Sequence, residues 1–220
     1  MEKRRIKFDD YDTALHGWTL TGWELGAAPQ KTKYLEKTNG DGSWDLSTAT
    51  SDGIIKYKDR PFSSSFECSE GTRMERETKI RHMINTLDGM KVSITLPDDD
   101  QHYVVGRLQV VRGYNNLAHA AISVSATCEP WKYANIETII TVAATTTKQH
   151  VTLYNGGRRA VVPTITVSGK SVLLEHGTAS IALSAGTYKW PNIFLTPGEH
   201  LVTCSGDGTV TFTYREAVLE

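Results

Sequence analysis

Hydrophobic and polar residues alternate along most of this chain, a pattern typical of half-buried β-strands. The clearest alternation covers residues 92–96 and resumes at residues 103–111 after an acidic, proline-marked break at residues 97–101. A third alternating run covers residues 118–128. These three runs predict an antiparallel meander whose first turn is acidic.

One segment departs from the alternation and has the spacing of a helix. Its apolar residues recur three and four positions apart and predict a single buried stripe. They are Ile80, Met83, Ile84 and Leu87. Thr72 and Glu75 have the spacing of a capping box, and Gly89 supplies a C-terminal stop. We therefore predict a helix over residues 72–88 that packs on a sheet.

The segment before the helix also predicts strands. Trp18 and Leu20, followed by Trp23 and Leu25, indicate an early strand pair. A Gly/Asp-rich loop at residues 39–46 leads into two β-type runs, residues 54–57 and 62–68, which we expect to form a hairpin around a polar, proline-containing turn. The early strands, hairpin, helix and meander together predict an antiparallel α+β layer arrangement.

The character of the sequence changes near residue 133. Residues 1–133 carry 37 of the 49 charged residues, and the remainder is rich in Thr, Val, Ile, Gly and Ala. Turn signals such as Asn155-Gly156-Gly157 and Gly206-Asp207-Gly208 separate about eight short β-type runs there. We therefore expect a domain boundary after Tyr133, with an N-terminal domain of residues 1–133 and a C-terminal β-sandwich, galectin-like, of residues 134–220. The predicted fold class is mainly β.

Charge and apolar content limit the partners. The formal net charge of −1 provides no broad basic field, so we expect no sequence-specific nucleic-acid partner. No apolar stretch approaches the ~20 residues that span a bilayer, and residues 6–12 lack the apolar core of a signal peptide. We expect a soluble protein that is made in a cytoplasm and has no membrane partner.

The residue types that carry chemistry are scattered. The seven histidines form no HxH or HExxH motif, and the three cysteines form no CxxC pair. Asp98-Asp99-Asp100 lacks the ligand spacing of a calcium loop. GxSxG, P-loop and GxGxxG motifs are absent from the sequence. We predict no metal, no cofactor and no catalytic residues, and we expect a binding or assembly protein before an enzyme.

Two alternatives remain open from the residues themselves. Exposed aromatic rings can stack on sugars, and Trp190 stands in a turn, Tyr188-Lys189-Trp190-Pro191, from which it could contact a sugar or a partner. This would suit a carbohydrate-binding module that recognises host cell-wall sugars through the C-terminal β-sandwich. A hydrolase with an unrecognised carboxylate pair is the third hypothesis, because any two of the 25 acids could meet in space.

An ordered set of motifs in the first half carries a family resemblance. The motifs are Gly26-Ala27-Ala28-Pro29, Gly40-Asp41-Gly42-Ser43-Trp44-Asp45-Leu46, Tyr57-Lys58-Asp59-Arg60, Leu87-Asp88-Gly89-Met90-Lys91-Val92, Tyr103-Val104-Val105-Gly106-Arg107-Leu108 and Ala126-Thr127-Cys128-Glu129-Pro130-Trp131-Lys132-Tyr133. In this order they resemble the N-terminal domain of the distal tail proteins (Dit) of siphophages that infect Gram-positive bacteria, and of related prophages. The second half resembles the smaller C-terminal β-sandwich of that family.

The resemblance implies a structural protein of the virion baseplate. Family members form a hexameric ring at the tail tip, with a central channel for DNA. One face of the ring meets the tail tube protein, and the other meets the tail-associated lysin or tail fibre protein. In some phages the C-terminal domains carry receptor-binding proteins, which gives the assembly its role in host attachment. For this chain we therefore expect a homo-hexamer located in the virion, at the tail tip, and made in the bacterial host cytoplasm.

A ring of identical subunits needs two different, complementary patches on each subunit. The Gly/Asp-rich loop and the polar turn after it are placed at hairpin tips, where such patches can form. The residues predicted to contact neighbouring subunits are Asp41, Trp44, Asp45, Tyr57, Lys58, Asp59 and Arg60.

Overall fold

The computed structural model describes residues 5–49 and 53–220, and the chain in it divides into two compact units. The first unit is Met1–Trp131 and the second is Lys132–Glu220. Both are built from antiparallel strands, and the described residues contain a single helix, so the fold is mainly β, as predicted. The two functional domains inferred from composition, with a boundary after Tyr133, stay a prediction.

The first unit is built on one mixed-length antiparallel sheet. Its strands lie in the order β2-β1-β7-β8-β9-β6-β3. They are β1 (Lys7–Phe8), β2 (Tyr11–Asp12), β3 (Thr19–Leu25), β6 (Arg60–Cys68), β7 (Lys91–Leu96), β8 (Asp99–Asn115) and β9 (Ala120–Ala134). A separate two-stranded hairpin consists of β4 (Tyr34–Glu36) and β5 (Ser43–Asp45).

The helix α1 (Arg73–Leu87) matches the prediction closely. Thr72 accepts a hydrogen bond from the backbone N–H of Glu75, and the Glu75 carboxylate accepts from the backbone N–H of Thr72, so the capping box is confirmed. Ile80, Met83 and Leu87 are buried. They join a core in which the Phe8 ring meets the edges or faces of Phe62 and Phe66, with centroids 6.4 and 6.3 Å apart. The helix thus covers the sheet with its apolar stripe.

The predicted meander β7-β8-β9 is confirmed, but its first turn is shorter than expected. Pro97 and Asp98 alone make the turn, and β8 already begins at Asp99. The Asp99 carboxylate lies 2.9 Å from Nδ1 of His102 and also accepts the backbone N–H of that residue. The acidic side chains therefore shape a bulge at the start of β8 as well as the turn itself.

Two sequence predictions for the segment before the helix are wrong. The early strand pair is the single strand β3, which pairs with β6. The expected hairpin between residues 54–57 and 62–68 does not form, because β6 pairs with β3 on one side and β9 on the other. Tyr57 makes only a bridge to Gln30, and Pro61 is the second residue of β6 and not part of a turn. Nonlocal partners therefore replace the pairing that proximity suggested.

The second unit contains five main strands where eight were predicted. Its sheet order is β10-β14-β12-β13, with β11 also pairing with β14. The strands are β10 (Thr138–Ala144), β11 (Gln149–Asn155), β12 (Thr164–His176), β13 (Ala179–Lys189) and β14 (Gly198–Tyr214). A short strand, β15 (Ala217–Val218), pairs with Lys132 and Tyr133. The predicted turns at residues 168–170 and 206–208 lie inside β12 and β14, where they bend long strands and do not end them.

Buried polar groups fix the turns of the second unit. The side chain of Asn155 donates to the backbone carbonyls of Arg159 and Leu195, at 2.9 Å each, and accepts the N–H of Gly157. The Tyr214 hydroxyl donates to the carbonyl of Tyr154 at 2.6 Å. A buried polar group is costly unless it is paired. These hydrogen bonds therefore fix the conformation of the Asn155-Gly156-Gly157 turn.

The bend in β14 depends on a glycine at position 206. Gly206 has φ +136°, and a Cβ there would overlap the carbonyl oxygen of Ser171. Gly198 has φ +110° but has no atom within 4 Å of an added Cβ. We expect Gly206→Ala to lower the free energy of unfolding by about 3 to 4 kcal/mol, and Gly198→Ala by only about 1 kcal/mol. Urea titration of both variants measures the difference, and equal costs would show that the bend is not tightly packed.

Candidate assembly surface

A long ribbon leaves the sheet of the first unit between β3 and β6. We call residues 26–59 the arm, of which the structure describes residues 26–49 and 53–59. At its base the N–H of Gly26 donates to the carbonyl of Pro61 at 2.8 Å. Further out, Lys58 donates to Pro29 at 2.7 Å, and Lys31 donates to Lys56 at 2.8 Å. Because β3 and β6 are neighbours in the sheet, the two strands of the arm must start side by side.

The arm ends in the hairpin β4–β5. Leu35 pairs with Trp44 across it, and the N–H of Lys37 donates to the carbonyl of Gly42 to close the tip. Gly42 has φ +77°, a conformation that glycine adopts without strain. The Gly/Asp-rich sequence that precedes Trp44 is thus the turn of this hairpin.

Most of the arm's described residues are exposed, and the others are half-buried. None of its described residues is buried. Leu35 is 59% exposed and Trp44 is 56% exposed, and Tyr34 is exposed as well. A two-stranded hairpin without a core is at best marginally stable in water. Its large exposed apolar side chains make this hairpin the candidate interaction surface of the first unit.

The exposed apolar residues shape a cleft at the tip. Leu35 and Trp44 line it together with Lys37, Thr38 and Gly40. Its volume is about 440 Å³. We call this feature the arm cleft. It is shallow and open, its surface is mainly apolar, and Glu36 and Lys37 are among its lining residues.

Hydrogen bonds from Ser47 order the carboxylate at the end of β5. The backbone N–H of Ser47 donates to Asp45 at 2.9 Å. Side-chain and backbone hydrogen bonds from Ser47 hold the pKa of Asp45 below its ordinary value. The Ser47 hydroxyl also accepts the N–H of Lys33 at 2.9 Å, so Ser47 links both strands of the arm.

The arm contains six of the seven residues predicted to contact neighbouring subunits. Asp41, Trp44 and Asp45 lie on the exposed hairpin, and Lys58 and Asp59 are exposed on the returning strand. Tyr57, on the same strand, is half-buried, and its ring packs edge-on against Trp131 with centroids 5.4 Å apart.

Arg60 differs from the other six because its side chain is only 2% exposed. It is the first residue of β6, at the base of the arm. Reversing its charge would perturb the sheet of the first unit, so Arg60 is unsuitable for testing a surface contact.

Trp190 lies in the core of the second unit. It is 8% exposed and packs among the buried residues that include Ile193, Leu195 and Tyr214. Its carbonyl accepts the N–H of Ile193 at 3.0 Å, which fixes a turn. The ring therefore offers little open face for a sugar or a partner.

Sequence reasoning missed several exposed apolar residues. Tyr34 and Leu35 lie across the hairpin from the predicted site, and their position after alternating lysines gave a signal for an exposed strand. Met74 and Leu117 are exposed at the first turn of α1 and in the β8–β9 turn. For Leu117, the available signal was an apolar residue directly after the polar pair Asn115-Asn116.

The described part of the chain offers no metal centre. Among residues 5–49 and 53–220, no group of three or more His, Cys, Asp or Glu side chains could hold an ion. Within the same residues, α1 is too short and too polar to cross a bilayer.

The described residues form a mainly β architecture of two compact units with one helix and a projecting arm. It is similar to the crystal structure of the SPP1 Dit (gp 19.1) protein, with a TM-score of 0.66 over 96% of this chain and 98% of that one. That protein is described as a paradigm of the hub adsorption apparatus in Gram-positive-infecting phages. Sequence identity is 16%, so the likeness is one of fold. It confirms the predicted distal-tail-protein resemblance at that level.

Comparison at the level of sequence gives no relative. No protein-family model and no curated protein matches the chain.

Burial limits the reactivity of the three cysteine thiols. Cys68, Cys128 and Cys204 are buried and free. Burial raises the pKa of the Cys128 thiol to about 12 and raises that of Cys204 as well. Since the thiolate is the reactive form, we expect no reaction with Ellman's reagent at pH 8 in the folded protein and three reacting thiols after denaturation. Rapid labelling of the native chain would contradict this arrangement.

Proposed function

We propose that this chain is a structural hub protein of a phage tail tip. Copies of it assemble into a hexameric ring that joins the tail tube to the tail-associated lysin or fibre and to receptor-binding proteins. The ring leaves a central channel through which DNA passes. The protein acts by self-complementary shape and catalyses no reaction.

The observation that carries the proposal is the arm. Across residues 26–49 and 53–59 of this ribbon no side chain is buried, which is a large exposed surface for a chain that works alone. Interfaces of standard size engage about 20–30 residues on each side. The arm supplies that number, and Trp44 at its tip is of the residue type most enriched among the residues that dominate binding energy.

The fold likeness supports the choice of class. The similarity extends over nearly the full length of both chains, so it includes both units of this chain. The SPP1 Dit protein belongs to a hub adsorption apparatus. By analogy, residues 1–133 build the ring, residues 134–220 face outward, and the protein resides in the virion after synthesis in the host cytoplasm. The sugar-binding alternative has no such support, since its candidate residue Trp190 is buried.

Light scattering coupled to size exclusion tests the oligomer directly. We expect a particle of six times the 24.4 kDa mass of the chain. A monomer at every concentration up to the millimolar range would contradict the proposal.

Variants of the arm test whether it forms the contact. We expect Leu35→Ser with Trp44→Ser to shift the particle to monomers, because both side chains lose their partner in the assembly. The melting temperature of the dissociated chain should change by no more than about 2 °C, because exposed positions contribute little to folding.

A control variant is available in the second unit. Ile139 is 62% exposed but lies on β10, away from the arm in sequence. Ile139→Ser should leave the hexamer intact. Dissociation by the control, or a hexamer that tolerates both arm substitutions, would remove the arm from the interface. The charge change Asp59→Lys gives a further arm variant that avoids the buried Arg60.

A further inference from the structure

The tip of the arm carries a dipeptide that is chemically reactive in water. The sequence contains Asn-Gly at two places, Asn39-Gly40 and Asn155-Gly156. In such a pair the backbone nitrogen of the glycine can attack the side-chain carbonyl carbon of the asparagine, because glycine has no Cβ to block the approach. The other five asparagines all precede residues with a Cβ, which hinders the attack. The two Asn-Gly pairs share one local chemistry but lie in contrasting surroundings.

Asn39 has the freedom that this reaction requires. It is exposed and lies in the turn between β4 and β5. Across the described residues, no hydrogen bond involves its side chain. Gly40 is exposed too, and apart from its chain neighbours a Cβ added to it would meet only Cδ of Lys37, at 4.0 Å. Because few contacts hold this turn, its side chain and backbone are free to reach the geometry of attack.

Asn155 has the same sequence neighbour but not that freedom. It is 1% exposed. Its amide nitrogen donates to the carbonyls of Arg159 and Leu195, and its amide oxygen accepts the N–H of Gly157 at 3.0 Å. Cyclisation would break all three hydrogen bonds inside the second unit, because the amide must rotate and then lose its nitrogen. A group held in this way reacts only when the structure around it opens.

We propose that Asn39 is a site of spontaneous deamidation, and that the fold restricts the reaction to this one of the two Asn-Gly pairs. The Gly40 nitrogen forms a bond to Cγ of Asn39 and loses its proton to water, while the side-chain nitrogen leaves as ammonia. Water then opens the cyclic succinimide at either of its two carbonyl carbons. The product is aspartate or isoaspartate, so one water is consumed for each ammonia released. No oxidant, reductant or enzyme takes part.

Deamidation changes the arm cleft itself. Asn39 and Gly40 line this cleft, and its charged lining residues, Glu36 and Lys37, balance each other. A carboxylate at residue 39 leaves the lining with a net negative charge. In isoaspartate the main chain also gains a methylene group between Lys37 and Gly42, whose hydrogen bond closes the tip. The reaction therefore alters the charge and the shape of the candidate interaction surface, whatever the number of subunits in the assembly.

Peptide mapping after prolonged incubation tests the site. The full chain is kept at pH 8, and cleavage after lysine and arginine then separates Asn39, on residues 38–56, from Asn155, on residues 149–158. Mass spectrometry detects replacement of the amide nitrogen by oxygen in each peptide. We expect deamidation at Asn39 to be at least about tenfold faster than at Asn155, since opening of the second-unit turn limits the latter. In urea the two sites should react at comparable rates.

Two variants separate the chemistry from the fold. Gly40 does not have a positive φ, and its surroundings leave room for a methyl group. Gly40→Ala should therefore keep the hairpin and slow deamidation at Asn39, with the rate at Asn155 unchanged. The Leu35→Ser, Trp44→Ser chain is incubated in parallel, because its tip stays exposed whether or not the wild type assembles.

Light scattering on the same samples makes every outcome decisive. A wild type that assembles and reacts slowly at Asn39, beside a rapidly reacting Leu35→Ser, Trp44→Ser chain, would support the site and show that assembly covers it. Three results would overturn the proposal: a slow rate at Asn39 in a monomeric wild type, a rate no faster than that of Asn155 in both folded chains, or an unchanged rate in Gly40→Ala.

Discussion

A two-stranded ribbon cannot bury its own side chains, and this constraint explains why the arm of the first unit is largely exposed. The pairing of β3 with β6 fixes where the arm starts, because every residue between them must leave the sheet and return to the adjacent strand. Once it has left, it meets no core of its own unit. A two-stranded hairpin on its own is marginally stable at best, so a surface that covered its apolar tip would stabilise it.

At the opposite end of the same unit, a buried arginine requires hydrogen-bond partners. There the guanidinium of Arg76 donates to three backbone carbonyls, which offsets the cost of burying its charge. The β8–β9 turn held in this way keeps Leu117 in solvent. A flexible loop would have let the leucine fold back on the surface.

The sequence predicted features that local chemistry determines. The helix, its capping box and the β7-β8-β9 meander follow from short-range spacing, and the structure confirms them. The misplaced hairpin shows the limit of this reasoning: residues 54–57 have the composition of a strand, but β6 finds better partners in β3 and β9, which are distant in sequence. In the second unit, the glycines at 169 and 206 bend continuous strands, and local sequence cannot distinguish such a bend from a turn.

The candidate surface could be located only in part from the sequence. Its residues on the arm were accessible to prediction because polar turn residues flank an aromatic one at Trp44. The burial of Arg60 and Trp190 was not, since it depends on which strands and loops cover them.

Hydrogen exchange along the chain tests the central claim most directly. In the assembled protein, amides of residues 33–46 should exchange at least about tenfold more slowly than in the dissociated Leu35→Ser, Trp44→Ser variant, while those of α1 should exchange equally in both. Equal exchange of the arm in the two states would show that the assembly leaves it uncovered and would contradict the account.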